Sequence, residues 1–441
     1  MSSSSLRRAA VSLALLSAAC GPAGAPPLPA RSPLEQLRFS IDSLVSDAKF
    51  ANAQIGLLVV DPKTGDTLYS RNAGKLFMPA SNQKIITSAV ALTQLGPDYR
   101  YHTVIAKRGE LKDSVLNGDL IVIGRGDPTM SDRVYGSAAK EMAAIADSIR
   151  ARGIKRVTGA LREGGNAFPD SIYGYGWEWD DIGGESGAPV DELMYNEGMV
   201  QRAARINGRD TVISVATRTP GYVYLSALYT ALSQRGVRIE KLVDLATDSL
   251  TEPYDTVYTI ESPPLREILK YFLKPSQNQI GEVLLKTVGL ERTGIGTADA
   301  GAAVETTQLR EWGVDSTGVV VYDGSGLSRH DLVSPETLVK VLTAMQKDTA
   351  FAAYYDAFPI AGVDGTIKSR MKGTPAENNL RGKTGSIEFV RSLSGYVDTA
   401  DGERLVFSFL SNHFTVPSSE ITRVQDAVGA LLASYSAKLT K

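Results

Sequence analysis

The residues Ser81-Asn82-Gln83-Lys84 place a hydroxyl and an amine three positions apart at the mouth of an apolar-periodic stretch that runs through Ala89, Val90, Leu92 and Leu95 to Gly96. Residues three apart on a helix share a face, so the Lys84 amine can reach back to the Ser81 hydroxyl. A helix start adds free backbone N–H groups and positive potential. That is a setting for an activated serine nucleophile. Taken alone, the tetrad reads first as something plainer, because serine is a common N-cap and lysine a common solvated helix residue.

Two later triplets fit the opening one. Ser276-Gln277-Asn278 lies in a loop between two helical patterns, and Lys383-Thr384-Gly385 precedes a strand. Ser-x-x-Lys, Ser-x-Asn and Lys-Thr-Gly, in that order, resemble the signature of serine enzymes whose base is lysine rather than histidine. Each motif is weak alone. Ser-x-x-Lys recurs at Ser46/Lys49, Ser137/Lys140 and Ser369/Lys372, Ser-x-Asn at Ser70/Asn72, and Lys-Thr-Gly at Lys63-Thr64-Gly65. No Ser-x-Asn falls between Ser369 and Lys383, the Lys63 copy sits in a hairpin turn ahead of Ser81, and Ser46 stands near a helix end whose dipole disfavours an alkoxide. Ser137 opens a helix as Ser81 does, and residue types alone do not separate the two.

The elements that must position these groups can be read from periodicity. An amphipathic helix is expected over Leu34 to Ala48, a buried strand over Gln54 to Val60, and a returning strand over Asp66 to Ser70. The Ser81 helix follows. From about Gly96 to Pro264 the texture changes to short strand-like pieces, such as Gly118 to Ile123 and Thr211 to Val215, between glycine-rich loops, with one helix over Ser137 to Arg152. Helical patterning returns on both sides of Pro275. The chain closes with strands over Ser392 to Val397 and Leu405 to Leu410 and a helix over Ile421 to Leu439. This is an α/β chain of the α+β type: an antiparallel sheet flanked by helices, made of residues 35–95 and 264–441, with residues 96–263 inserted as one or two small domains.

With 441 residues the chain has ample length for several cores. Its net charge of -2, with scattered Lys and Arg, leaves no footprint for nucleic acid. Residues 1–19, with Arg7 and Arg8 before the apolar run Ala9 to Leu16, have the layout of a secretory signal peptide. The single cysteine, Cys20, follows Leu16-Ser17-Ala18-Ala19, which resembles a bacterial lipoprotein processing site except that Leu16 lies one position too far upstream. Residues 20–34, rich in Pro, Gly and Ala, read as a tether. Export to the bacterial periplasm or cell envelope, with Cys20 as a lipid anchor or else incidental, is the expectation.

From about Ala53 onward the sequence resembles the low-molecular-mass penicillin-binding proteins of the D-alanyl-D-alanine carboxypeptidase/endopeptidase family, those with a large insertion after the nucleophile helix. Besides the triple, the resemblance rests on Gly124-Arg125-Gly126-Asp127-Pro128-Thr129, Gly176-Trp177-Glu178-Trp179-Asp180-Asp181, Ala188-Pro189-Val190, Asp323-Gly324-Ser325-Gly326-Leu327-Ser328-Arg329 and Ala361-Gly362-Val363-Asp364-Gly365-Thr366. It puts Ser137 inside the insertion and so selects Ser81. The resemblance implies a serine β-lactamase/transpeptidase-like fold and an acyl-enzyme on Ser81, with Lys84 as base. It also implies Ser276 as the proton donor to the departing D-alanine, and Asn278 as the group holding Lys84 and the substrate amide. Lys383 and Thr384 would bind the terminal carboxylate, and the N–H groups of Ser81 and Ser386 the oxyanion. Lysine serves as base only if burial or a nearby cation lowers its pKa, and Lys383 would be such a cation. Gly385 would let substrate backbone lie close to the strand. Asp180 would meet the charged end of a peptidoglycan side chain. The implied partners are peptidoglycan stem peptides and β-lactams, with no metal or organic cofactor.

Other readings fare worse. Arg381-Gly382-Lys383-Thr384 lacks the first glycine and the following helix of a P-loop. No Gly-x-Ser-x-Gly elbow and no His-Glu-x-x-His motif occur, and His102, His330 and His413 fall on loops or strand ends with surface placement expected. Arg125-Gly126-Asp127 reads as a tight turn. A serine β-lactamase of the same fold and a non-catalytic wall-binding protein remain as alternatives.

Overall fold

Alternating side chains in three central strands divide the larger half of the molecule into layers. In the computed structural model, which describes residues 31–243 and 252–438, β1 (Gln54–Val60) turns its Ile55, Leu57 and Val59 to one face and Leu58 to the other. Helix α1 (Pro33–Val45) precedes it, β2 (Thr67–Arg71) follows, and α2 (Gln83–Leu95) then lies against the second face. The chain returns to this layer with α6 (Leu265–Leu273), α7 (Asn278–Thr293), α8 (Ala298–Glu311), α9 (Pro335–Met345) and α10 (Phe351–Ala357). It ends in β12 (Arg381–Ile387), β13 (Val390–Asp398), β14 (Arg404–Asn412) and α11 (Ser418–Ser434). The strand order is β12-β13-β14-β1-β2, antiparallel throughout. Helices α1 and α11 cover one face, with Leu37, Ile41, Val424 and Val428 packed on Phe407 and Phe409. Helices α2, α6, α7 and α9 cover the other, with Ile85, Leu269, Val283 and Leu342 packed on Val406 and Leu410.

The stretch between α2 and α6 builds a sheet of its own. It contains β3 (His102–Lys112), β4 (Val115–Ile123), α3 (Asp132–Tyr135), α4 (Ala138–Ala151) and β5 (Arg156–Gly164), then β6 (Met199–Ile206), β7 (Arg209–Ala216), α5 (Pro220–Gln234), β8 (Arg238–Val243) and β9 (Asp255–Glu261). The order is β8-β5-β4-β3-β9, with β4, β5 and β8 parallel and β3 antiparallel to both its neighbours. Parallel neighbours need crossovers, and α4 and α5 supply them. The hairpin of β6 and β7 stands apart as a two-stranded sheet. A mixed sheet explains why this region looked fragmentary in sequence. Short strands β10 (Val319–Val320) and β11 (Leu332–Val333) pair with each other outside both five-stranded sheets.

Several boundaries differ from expectation. The tether expected to reach residue 34 stops earlier, because Ser32 and Glu35 form a reciprocal capping box that starts α1 at Pro33. Its remainder, the expected signal peptide and Cys20 lie outside the described residues, as does Leu439, the expected end of the last helix. Lys383-Thr384-Gly385 does not precede a strand: it lies inside β12. Among the described residues no helix is long and apolar enough to cross a membrane.

Candidate active site

Helix α2 is buried along its first ten residues, the polar Gln83, Lys84, Thr87 and Ser88 included. Its entry is a 3-10 turn over Ala80–Asn82 in which Ala80 has φ 46°, and no side chain caps either start. Asn82 instead donates Nδ2 to the Lys383 carbonyl at 2.8 Å, tying the turn to β12. Ser392 of β13 adds a bond to the Pro79 carbonyl. Ser276 sits just ahead of α7 with φ 65°, a left-handed conformation that a residue with a Cβ seldom adopts without support. Gln277 caps α7 through Ile280 N, so Asn278 is fixed on the first turn.

The side chains converge. Lys84 Nζ lies 2.8 Å from Ser81 Oγ, 2.6 Å from Asn278 Oδ1 and 2.7 Å from the Ser325 carbonyl. Lys383 Nζ donates to Ser276 Oγ and to the Thr384 carbonyl, both at 2.8 Å. Thr384 Oγ1 reaches Thr366 Oγ1 at 2.7 Å. Asn278 Nδ2 donates to the Ser186 carbonyl, which orients its amide with the oxygen toward Lys84. A cavity of about 220 Å³ is lined by Ser81, Ser276, Asn278, Thr384, Ser386 and Ser186, among others.

Both lysines are fully buried. Burial pushes the Lys84 amine down to about 7, against a smaller opposing pull from Asp323, Glu282 and Asp331. Of the two causes expected from sequence, burial and the Lys383 cation, it is burial that lowers the amine. Lys383 is itself held well below its ordinary value, by burial first and then by Lys84. A neutral amine has two N–H bonds and one lone pair. Two of Lys84's neighbours, the Asn278 and Ser325 oxygens, can only accept. The lone pair is therefore left for the Ser81 hydroxyl, which is the arrangement of a base and its nucleophile.

Ser81, Lys84, Ser276, Asn278, Lys383, Thr384 and Ser386 thus come together in one cleft. Asp180 does not: it is exposed beside Glu178 and Asp181 and does not line the cavity at Ser81. Gly385 has a structural reason beyond substrate access. A Cβ there would lie 2.1 Å from Ser392 Oγ, 2.7 Å from the Pro79 carbonyl and 3.0 Å from Ser81 N. The rival serines occupy ordinary positions. Ser137 caps α4 through Lys140 N, Ser46 closes α1 and accepts from Arg71, and Ser369 is exposed. The three histidines are exposed, and Asp127 of the Arg-Gly-Asp turn is buried against Thr129. Sequence reasoning missed Asn82, Ser186, Ser325 and Thr366. Asn82 adjoined the nucleophile in plain view, and Thr366 stood in a segment already singled out. Ser186 and Ser325 act through backbone carbonyls, which leave no signal in residue type.

The sequence matches the D-Ala-D-Ala carboxypeptidase 3 (S13) family over residues 37–221 and 203–435. The chain belongs to the S13 family. A D-alanyl-D-alanine carboxypeptidase of Actinomadura sp. (strain R39) is 32% identical over 91% of this chain and 85% of its own length. The carboxypeptidase DacB of Mycolicibacterium smegmatis is 32% identical over 83% of this chain and 78% of its own. Among solved structures, penicillin binding protein 4 (dacB) from Haemophilus influenzae superposes with a TM-score of 0.79 at 21% identity, covering 90% of this chain and 99% of that one. The fold of that protein is therefore shared over 90% of this chain.

Proposed function

We propose that the protein is a serine-type D-Ala-D-Ala carboxypeptidase acting on peptidoglycan stem peptides. The observation that carries this is the pair of hydrogen-bonded sets, Ser81–Lys84–Asn278 and Ser276–Lys383, on facing walls of one cavity. Ser81 Oγ attacks the carbonyl between the two D-alanines and its proton passes to Lys84 Nζ. The N–H groups of Ser81 and Ser386 hold the oxyanion. Collapse breaks the C–N bond while Ser276, bonded to Lys383, hands its proton to the departing amine and is resupplied with the one Lys84 took from Ser81. That leaves Lys84 neutral again, to take a proton from the hydrolytic water and return it to Ser81 Oγ. Water then cleaves the ester, releasing the shortened peptide and restoring Ser81. The substrate's terminal carboxylate, held by Lys383 and Thr384, returns the Lys383 amine to its charged form, and that cation in turn favours neutral Lys84. A β-lactam that mimics the dipeptide acylates the same serine. Asp180, exposed outside the cavity, would meet the charged end of a longer side chain.

D,D-endopeptidase action on cross-linked peptides is a second reading. It is favoured by an adjoining cavity of about 250 Å³ that shares Ser186, Ser276 and Asn278 and continues to Arg133 and Glu185, room for an acceptor strand. In the same reading residues 35–95 and 264–441 form the catalytic unit around the insertion, which the separate sheets support. Residues 1–19 direct export to the envelope, and Cys20 carries a lipid.

One experiment tests these points together. The protein and its Ser81→Ala variant are incubated with labelled penicillin and with a D-Ala-D-Ala peptide, in whole-cell fractions and in purified form. A stable adduct and D-alanine release are expected from the unmutated protein alone. Absence of both overturns the peptidase reading, rapid penicillin turnover favours a β-lactamase, and an adduct on Ser81→Ala removes Ser81 as nucleophile. The adduct should sit with membranes and move to the soluble fraction in Cys20→Ala; a soluble adduct in both ends the lipid-anchor reading.

A further inference from the structure

Behind Lys84 lies a turn that no step above uses. Asp323 is fully buried between β10 and β11 and receives five donors. Ser325 N and Gly326 N reach Oδ1 at 3.1 and 2.6 Å, and Ser328 N, Ser325 Oγ and Trp177 Nε1 reach Oδ2 at 2.8, 3.1 and 2.8 Å. Five donors make this a seat for an anion, and the buried Asp331 carboxyl lies against the same side chain and is raised by it. The turn so wound presents the Ser325 carbonyl to Lys84 Nζ at 2.7 Å. It also abuts the nucleophile: Gly326 has φ 79°, and a Cβ there would stand 1.9 Å from the Ala80 carbonyl. On its other side Gly324 and Gly281 of α7 are in backbone contact, close enough that a Cβ on either would overlap the other's carbonyl. One turn thus touches the helix of Lys84, the helix of Asn278 and the residue before Ser81. Its fifth donor comes from Trp177, in the irregular segment of residues 165–198 that leads out of the inserted sheet.

We propose that Asp323 is the positioning residue of the general base: its carboxylate winds the 323–328 turn so that the Ser325 carbonyl accepts one Lys84 N–H and leaves the amine lone pair aimed at Ser81, with Trp177 coupling the inserted region to that arrangement. This rests on the peptidase reading. The charged and titratable groups that face Lys84 are Lys383 from β12, Glu282 from α7, and Asp323 and Asp331 from the loop, with Glu305 of α8 against the neighbouring Gln83 and Thr87. Burial raises Glu282 and Glu305 to about 8 and holds Asp331 well above the carboxylate range. Of these carboxyls Asp323 is the one that receives five hydrogen-bond donors, and it exerts the largest electrostatic pull on Lys84. Removing it should make Lys84 easier to deprotonate while spoiling its aim.

The test is the pH dependence of the second-order rate of acylation by labelled penicillin, for the full chain and for Asp323→Asn and Trp177→Phe, with circular dichroism to establish folding. Asp323→Asn should lower the plateau rate by about 10²-fold, the scale on which a misplacement of the order of an ångström acts, and move the acid limb to lower pH. Trp177→Phe keeps the anion, so its limb should stay in place while the plateau falls about 2- to 10-fold, the range one ordinary hydrogen bond commands. A folded Asp323→Asn with an unmoved limb, or with an unchanged rate, overturns the proposal. Should that variant not fold, an unchanged rate in Trp177→Phe overturns it instead. No adduct on the unmutated protein would overturn the parent reading and this one with it; an adduct there with unaffected variants overturns this one alone.

Discussion

Lys84 is surrounded by oxygen atoms and by the ring of Phe272, 5.8 Å from its amine, and has no water-exposed surface. The sign of its pH dependence follows. Below about 7 the amine is an ammonium with its third N–H spent on Ser81, and no lone pair remains to take a proton. Above that value the neutral base is present. Acylation by penicillin should therefore fall about tenfold per pH unit on the acid side and level off above neutrality. Stopped-flow or gel-based rates across a buffer series would check this, and a flat profile from about pH 5 to 9 would count against Lys84 as base. Five of the site's members, Ser81, Lys84, Ser276, Asn278 and Lys383, were legible in sequence because they work through their side chains. The dryness of the two lysines was not legible. Nothing in Gln83-Lys84-Ile85-Ile86-Thr87-Ser88 marks an α2 that is buried on every side, since amphipathic contrast is the usual guide and this helix lacks it.

At the scale of elements, β12 and the turn before α2 are fitted to each other as closely as two backbones can be. Glycine inside a strand reads as a break from sequence alone, which is why Lys-Thr-Gly was placed ahead of a strand rather than in one. The structural reason is close approach. Gly385→Ala would drive a methyl group into Ser392 Oγ and the Pro79 carbonyl, which are themselves hydrogen-bonded. Relief requires the strand and the nucleophile turn to part. The expected result is a stability loss of about 1–3 kcal/mol, typical of overpacking, together with an acylation rate lower by about 10²-fold. Thermal melts and penicillin labelling would measure both. A variant with unmutated rate and stability would show that the fit is looser than the distances imply.

The irregular segment of residues 165–198 ties the molecule together between its two five-stranded sheets. Along it Asp170 meets Lys286, Trp177 meets Asp323, Glu178 meets Arg329, and the Glu185 and Ser186 carbonyls meet Gln279 and Asn278. Sequence reasoning saw the aromatic cluster in this stretch but not its course, because a chain without regular elements has no period to read. Lys286 is a well-buried tie, donating to Asp170 Oδ1 at 2.5 Å and to the Ser171 carbonyl at 2.7 Å with a side chain only 5% exposed. Lys286→Met keeps the apolar stem and removes the donor. It should lower stability by about 1.5–3 kcal/mol, the range for a hydrogen bond to a charged group. Proteolysis should also become faster within 165–198, read by mass spectrometry. An unchanged cleavage rate there would mean that the segment is held by its other contacts alone.

The bond from Asn82 to the Lys383 carbonyl spans 301 residues of sequence, and β1 finds its partner in β14 near the other end of the chain. Contacts of such separation form late, since the intervening loop must close before anything is gained. During synthesis the serine and its lysine emerge early, into water, with neither the strand that orients them nor the surroundings that strip Lys84 of its charge. A growing chain is therefore chemically silent, and reactivity begins only when the last strands have been made and docked.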